Sequence, residues 1–92
     1  MALLGNDEIE ARLGQLGGWE RRGESIVKAF KRGDFVGSVK FVDALVAPAE
    51  EMGHHPDLEV SWDTVTVTIS THSEGGLTAA DFELARKIDA LP

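Results

Sequence analysis

Apolar residues near the start of the chain follow a helical spacing. Ile9, Leu13 and Leu16 recur four and three residues apart, which predicts a short helix over 7–16 with one apolar face. Asp7 is the expected N-cap of this helix, because its side chain can accept a hydrogen bond from the first turn. A pair of glycines then ends the periodic segment, so the first element is expected to be a helix.

Two short extended segments follow this helix. They cover 19–22 and 25–30, and only Gly23 and Glu24 separate them. A two-residue connection that contains glycine is typical of a β-hairpin. The first pair of strands is therefore expected here.

The longest periodic segment begins at Asp34 and predicts a long helix. Five apolar residues recur at alternating spacings of four and three and form its expected buried face: Phe35, Val39, Val42, Val46 and Ala49. Pro48 lacks a backbone donor and crowds the preceding turn, so we expect a kink or a loosened last turn. Gly53 is expected to end the helix.

A second pair of strands is expected after the long helix. The segment 59–62 is short and extended. Between 64 and 70 apolar and hydroxyl side chains alternate strictly, which predicts a half-buried strand with Val65, Val67 and Ile69 on its buried side.

The last segment carries the signals of a helix start. Thr78 is the expected N-cap, and Asp81 occupies the third helical position, as in a capping box. Leu77 and Phe82 have the spacing of a hydrophobic staple. The buried face is expected to continue along the helix through three residues: Leu84, Ile88 and Leu91.

This order of elements, α-β-β-α-β-β-α, predicts an α+β fold. Four strands with helices between the hairpins fit a four-stranded antiparallel sheet with helices packed on one face. With 92 residues, the chain is too short for a second hydrophobic core, so we expect a single domain over 1–92.

Composition and charge exclude several classes of function. The 16 acidic and 9 basic residues give a net charge of −7, which disfavours direct binding to nucleic acid. The absence of cysteine excludes disulfides, thiolate metal sites and cysteine nucleophiles. No apolar run approaches the roughly 20 residues of a membrane span, and no signal peptide is evident, so we expect a cytoplasmic protein without membrane contact.

All three histidines fall at the ends of predicted elements. His54 and His55 follow the long helix, and His72 follows the strand with the alternating pattern. Imidazole has an unperturbed pKa of about 6.5, so several together suit a reaction that needs both a general acid and a general base. The alternative is that these loop histidines are solvated and inert.

A metal site is a further alternative for the histidines. Together with Asp57 they could imitate a set of two histidines and one carboxylate. His54 and His55 are adjacent in an extended stretch and point to opposite sides, and the chain has no HExxH helical pair. We therefore expect no metal.

The candidate residues occur in an order and spacing that resemble one known family. The pattern comprises seven residues of this sequence: Glu50, His54, His55, Pro56, Trp62, His72 and Asp81. It resembles the signature of the pterin-4a-carbinolamine dehydratases, and the similarity extends over about 19–88. The resemblance implies the same four-stranded antiparallel fold.

The resemblance also implies a reaction. A 4a-hydroxytetrahydropterin, such as 4a-hydroxytetrahydrobiopterin, would lose water to give the quinonoid dihydropterin, without a metal or an organic cofactor, in tetrahydrobiopterin recycling. His54 and His72 would be the acid and base pair, with assistance from Glu50. The enzyme would be a hydro-lyase, and a pterin-dependent aromatic amino-acid hydroxylase is the partner process that the resemblance implies.

The remaining residues of the pattern would bind or orient. By resemblance, His55, Pro56 and Trp62 would hold the substrate. Asp81 would orient His72 by accepting its other ring proton.

Other functions of such a chain stay open. It could be a dimerisation or partner-binding module, since relatives in animals are also transcriptional coactivators, or a pterin-binding accessory protein, for example in molybdenum cofactor metabolism. In each case we expect a homodimer or homotetramer, because a four-stranded sheet has two edges and the core of 92 residues is small.

Overall fold

The computed structural model describes residues 2–92 and contains the helices and strands in the expected order. The elements are α1 (Asn6–Leu13), β1 (Glu20–Arg22), β2 (Ser25–Lys31), α2 (Phe35–Met52), β3 (Asp57–Ser61), β4 (Thr64–Ile69), a 3-10 turn (His72–Glu74) and α3 (Ala79–Asp89). None of the helices in this range has the length and apolar content needed to cross a membrane.

The four strands form one antiparallel sheet in the order β1-β2-β4-β3. Ile26 pairs with Ile69 and Phe30 pairs with Val65, so the apolar side chains of both central strands share one face. These side chains form a single core with the helices, while the threonines of β4 on the other face are only half-buried. The predicted α+β fold with helices on one face is confirmed.

Alternation along β4 and the start of α3 also agree with prediction. The three aliphatic side chains of β4 are fully buried. Thr78 and Asp81 form a capping box at the start of α3, and Leu77 and Phe82 are both buried in the core. β3 begins two residues earlier than expected, at Asp57, because it pairs with β4 from Thr68 onwards.

The first helix differs from the prediction at both ends. It begins after Gly5, so Asp7 lies within the first turn and is not the N-cap. It ends at Leu13, because Gly14 terminates it earlier than the glycine pair. Ile9 is buried as expected, and Leu16 packs against the core from beyond the helix.

The buried face of α2 is the main error of the sequence prediction. Three of the five predicted residues are exposed: Phe35 by 58%, Val39 by 42% and Val46 by 52%. Ala49 is buried and Val42 packs against the core, as predicted, but the large buried side chains are Phe41 and Leu45. The helix is apolar on two sides, so periodicity alone could not tell which one faces the sheet. Contact with β2 selects the side with the larger residues, since the Phe41 ring packs 4.8 Å from that of Phe30.

Both ends of α2 are fixed by local hydrogen bonds. Asp34 caps the first turn by accepting from the Gly37 N–H at 2.7 Å. A side chain at Gly37 would meet the Arg32 carbonyl at 2.2 Å, so only glycine fits there. α2 continues past Pro48 to Met52. It ends at Gly53, as predicted, whose left-handed conformation closes the last turn.

Candidate functional site

The histidines lie at one end of the sheet, where four segments meet. α2 ends and β3 begins on one side of this region, and β4 ends and α3 begins on the other. Because β3 and β4 are antiparallel, Asp57 at the start of β3 is paired with Thr68 near the end of β4. This hairpin brings the segment of His54 and His55 close to that of His72.

His54 is held by the C-terminal motif of α2. Its N–H donates to the Ala49 carbonyl at 3.1 Å, next to the bond from Gly53 to Glu50 that closes the helix. The side chain turns inward and is only 15% exposed. Its Nε2 lies 2.6 Å from Oδ1 of Asp81. The end of the helix therefore directs this imidazole to a buried carboxylate.

Asp81 is both the capping residue of α3 and the partner of His54. It is fully buried, and its Oδ2 accepts from the Thr78 N–H at 2.7 Å and from the Thr71 hydroxyl at 2.8 Å. Since an ionised carboxylate only accepts hydrogen bonds, Nε2 of His54 is the donor in this pair. The other ring nitrogen, Nδ1, is then the one that can accept a proton.

The expected contact between Asp81 and His72 is wrong. Both oxygens of Asp81 are engaged by His54, Thr71 and Thr78. Asp81 is on the first turn of α3, and that turn faces the end of α2, whereas His72 lies in the exposed 3-10 turn.

His72 is the most exposed of the three histidines, with 76% of its side chain accessible. Its Nε2 is 3.8 Å from Oδ2 of Asp57, which is also exposed. The backbone carbonyl of Thr71 accepts from the N–H groups of Glu74 and Gly75, both at 3.0 Å, and so holds the turn that carries His72.

His55 has a different partner from His54, and 63% of its side chain is exposed. Its Nε2 lies 2.5 Å from Oε2 of Glu50, which is in the last turn of α2. Both residues, with Pro56, line a shallow apolar groove of about 160 Å³ between α2 and β3. The rest of this groove is aliphatic: Val42, Leu45, Val46, Ala49 and Leu58.

Trp62 is not part of this site within the chain. It lies in the turn between β3 and β4, with a positive φ of 50° and 69% exposure. The length of β3, roughly 16 Å at about 3.3 Å per residue, separates that turn from His55. Its carbonyl instead accepts from the hydroxyl of Ser38 in α2 at 2.7 Å. Trp62 therefore lies outside the groove that His55 and Pro56 line, and its role in lining the substrate pocket stays a prediction.

Each histidine is thus paired with its own carboxylate: His54 with Asp81, His55 with Glu50, and His72 with Asp57. Among residues 2–92 there is no group of three or more histidine, aspartate or glutamate side chains arranged to hold a metal ion. Separate pairs of this kind suit proton transfer, because a carboxylate that bonds to one ring nitrogen orients the imidazole and fixes its tautomer.

Sequence reasoning missed two residues of the site. It considered Asp57 only as a metal ligand, and it did not consider Thr71. Both are adjacent to residues of the motif, since Asp57 follows Pro56 and Thr71 precedes His72. Adjacency was the only available signal, because the contacts of both side chains depend on the hairpin of β3 and β4.

Comparisons with known proteins agree over nearly the whole chain. The profile of a family described as pterin 4 alpha carbinolamine dehydratase matches residues 2–91. A protein of Thermosynechococcus vestitus named "Putative pterin-4-alpha-carbinolamine dehydratase" is 49% identical over 84 residues, which are 91% of this chain and 88% of that protein. A protein of the same name from Roseiflexus castenholzii is 48% identical over 90 residues, which are 98% and 97% of the two chains.

Two solved structures share the fold. A transcriptional coactivator/pterin dehydratase from Brucella melitensis superposes with a TM-score of 0.92 at 35% identity and covers 97% of both chains. A pterin dehydratase-like protein, described as a RuBisCO assembly factor in the alpha-carboxysome, gives a TM-score of 0.68 at 29% identity and covers 79% of this chain and 87% of the other.

Proposed function

This chain belongs to the pterin-4-alpha-carbinolamine dehydratase family, and we propose that it is an active dehydratase that converts a 4a-hydroxytetrahydropterin to the quinonoid dihydropterin and water. The observation that carries the proposal is the buried pair of His54 and Asp81, with 2.6 Å between Nε2 and Oδ1. An imidazole fixed in one orientation by a buried carboxylate is suited to general acid and base catalysis.

The reaction needs one proton added and one removed. The bond between C4a and the hydroxyl oxygen breaks, and a proton reaches that oxygen so that water leaves. A ring nitrogen loses a proton, and its electron pair forms the new double bond to C4a. The two transfers balance, so a general acid and a general base are sufficient.

His54 is the proposed base. Its Nε2–H is committed to Asp81, which leaves Nδ1 as the atom that takes the proton from the ring nitrogen. Burial of Asp81 keeps the imidazole in one orientation, so little reorganisation is needed during the transfer.

His72 is the proposed acid. Its side chain is exposed beside Asp57, where in its protonated form it can deliver a proton to the leaving hydroxyl. Its position on a short turn also lets it approach a bound substrate.

His55 and Pro56 are proposed to hold the pterin ring, and Glu50 assists by orienting His55 through the contact of 2.5 Å. These residues line the apolar groove between α2 and β3. A flat aromatic ring can pack against the aliphatic side chains of this groove. Asp81 is proposed as the positioning residue of His54.

A spectroscopic assay of carbinolamine dehydration with the purified protein tests this function. We expect turnover by the unaltered chain and a fall of about 10² or more in kcat for His54→Ala or His72→Ala. Thr64→Val is the matched control, because Thr64 lies at the other end of β4 and its hydroxyl donates to the neighbouring Asp63 carboxylate. Full turnover by either histidine variant would show that its proposed role is wrong.

In the cell, we propose that the product returns to the tetrahydropterin pool, as in tetrahydrobiopterin recycling. The process that supplies the substrate would be a pterin-dependent aromatic amino-acid hydroxylase. The carbinolamine arises from such a hydroxylation, so a source of that chemistry is required. No metal or organic cofactor has a part in the proposed steps.

A second candidate function is partner binding through the outer side of α2. The helix carries an exposed apolar stripe that consists of Phe35, Val39 and Val46. The neighbouring edge strand β3 is exposed along its whole length. Such a surface marks an interface. We propose that a second copy of the chain covers it, which gives a homodimer or homotetramer.

A further inference from the structure

We infer that Thr71 is a positioning residue of the proposed dehydration: its hydroxyl holds the Asp81 carboxylate so that His54 keeps the Nε2–H tautomer and presents Nδ1 to the substrate. This inference rests on the proposed function for its kinetic consequence. Its geometric content concerns the protein alone and can be measured without substrate.

The hydrogen bonds around Asp81 have only one consistent direction. The hydroxyl of Thr71 donates to Oδ2 of Asp81 at 2.8 Å. That hydroxyl has a single hydrogen, so in the contact of 2.9 Å between the two threonine hydroxyls Thr78 is the donor. Thr78 therefore donates to Thr71, and Thr71 donates to Oδ2 of Asp81. His54 donates to Oδ1 of the same carboxylate.

The Thr71 hydroxyl fixes the orientation of the carboxylate. Oδ2 of Asp81 accepts from both Thr71 and the Thr78 N–H, which leaves Oδ1 for His54. Without the hydroxyl, Oδ2 would keep only the bond to the backbone, and the carboxylate could turn about its terminal torsion. Because Asp81 is fully buried, water does not readily replace the lost donor.

Thr71 also connects the proposed base to the proposed acid. Its side chain acts on His54 through Asp81, and its backbone carbonyl holds the turn that carries His72. The change Thr71→Val removes the hydroxyl, keeps the β-branched shape and leaves the backbone bonds unchanged. It therefore tests the side-chain role separately from the support of the turn.

The first experiment uses the unaltered protein without substrate. Nitrogen-15 spectra of the histidine rings, recorded about two pH units above the usual imidazole titration, report which ring nitrogen carries the proton. We expect His54 to carry it on Nε2, with Nδ1 unprotonated. A His54 ring protonated on Nδ1 would overturn the inference, whatever the activity of the protein.

The second experiment compares Thr71→Val with Thr71→Ser and with the control Thr64→Val. Loss of a hydrogen bond to a buried charge should lower kcat by about tenfold to a hundredfold, with KM changed by less than about threefold. Serine keeps the donor and should restore most of kcat. In Thr71→Val we also expect His54 to become a mixture of both neutral tautomers.

The outcomes separate this inference from the proposed function. If the unaltered protein does not dehydrate the carbinolamine, the proposed function fails, and the His54 spectra still decide the positioning role. If Thr71→Val keeps full turnover and a single Nε2–H tautomer, the positioning role is wrong while the dehydratase stands. Should Thr71→Val fail to fold, the His54 spectrum of the unaltered protein and the turnover of Thr71→Ser decide whether the positioning role holds.

Discussion

The change Asp81→Asn tests the site most directly, because one residue serves both as helix cap and as partner of His54. The amide has one acceptor oxygen and one donor nitrogen. Its oxygen must face Thr71 and the Thr78 N–H, since that N–H can only donate. The amide nitrogen then faces Nε2 of His54 and requires it to accept. The favoured tautomer is thereby reversed, and Nδ1 becomes protonated.

The expected loss of stability is small. The geometry of the cap survives, and the negative charge near the start of α3 contributes about 0.3–1 kcal/mol. Replacing charge-assisted hydrogen bonds by neutral ones costs on the order of 1 kcal/mol more, offset in part because a buried charge is removed. We expect the free energy of unfolding to fall by about 1 kcal/mol, which lowers Tm by roughly 4–8 °C for a chain of this size.

The expected loss of activity is much larger. With its proposed accepting nitrogen blocked, His54 cannot act as a base, so kcat should fall by about 10² or more. Three measurements on one preparation separate the effects: thermal unfolding, the rate of carbinolamine dehydration and the ring spectra of His54. The matched control is Asp34→Asn, which removes the charge of a capping carboxylate at the start of α2, where Asp34 accepts from the Gly37 N–H.

Asp34→Asn should lower stability by a similar amount and leave turnover unchanged. If folded Asp81→Asn protein turns over like the unaltered chain, the reasoning is refuted and Asp81 is only a cap. If both variants lose turnover equally, the effect comes from stability, and the proposed pairing with His54 does not matter for catalysis.

Further predictions concern the metal, substrate binding, assembly and stability. EDTA should leave the dehydration rate unchanged, and a loss restored by one divalent metal would contradict this. His55→Ala should raise KM severalfold with kcat nearly retained, and unchanged substrate affinity would exclude its holding role. Val46→Lys on the exposed side of α2 should shift sedimentation toward a species of 9.9 kDa; if the unaltered chain already sediments so, no oligomer forms. Asp89→Ala should lower the free energy of unfolding, measured by urea denaturation, by about 1–2 kcal/mol, because it removes bonds to Trp19 and Lys28, and turnover should not change.

Local signals in the sequence determined the order of elements. The alternation along β4 and the capping box at the start of α3 each depend on residues within a few positions of one another, so they could be predicted without knowledge of the fold. The stop at Gly53 is likewise local, because a left-handed residue ends a helix in any context.

The orientation of α2 was decided only by the tertiary structure. Two apolar stripes run along this helix, and both satisfy the same helical period. The contact between Phe41 and Phe30, which are far apart in sequence, selects one stripe for the core and leaves Val39 and Val46 exposed.

In the candidate site, too, some features follow from the sequence and others only from the tertiary structure. The sequence motif marks the histidines and Asp81 as candidates, but the pairing of each histidine with a carboxylate depends on how distant segments meet. The first turn of α3 faces the end of α2, so Asp81 contacts His54 and not His72. β3 carries Trp62 away from the histidines. Residue types and spacing determine which chemistry is available, whereas contacts across the sheet decide which groups can share a proton.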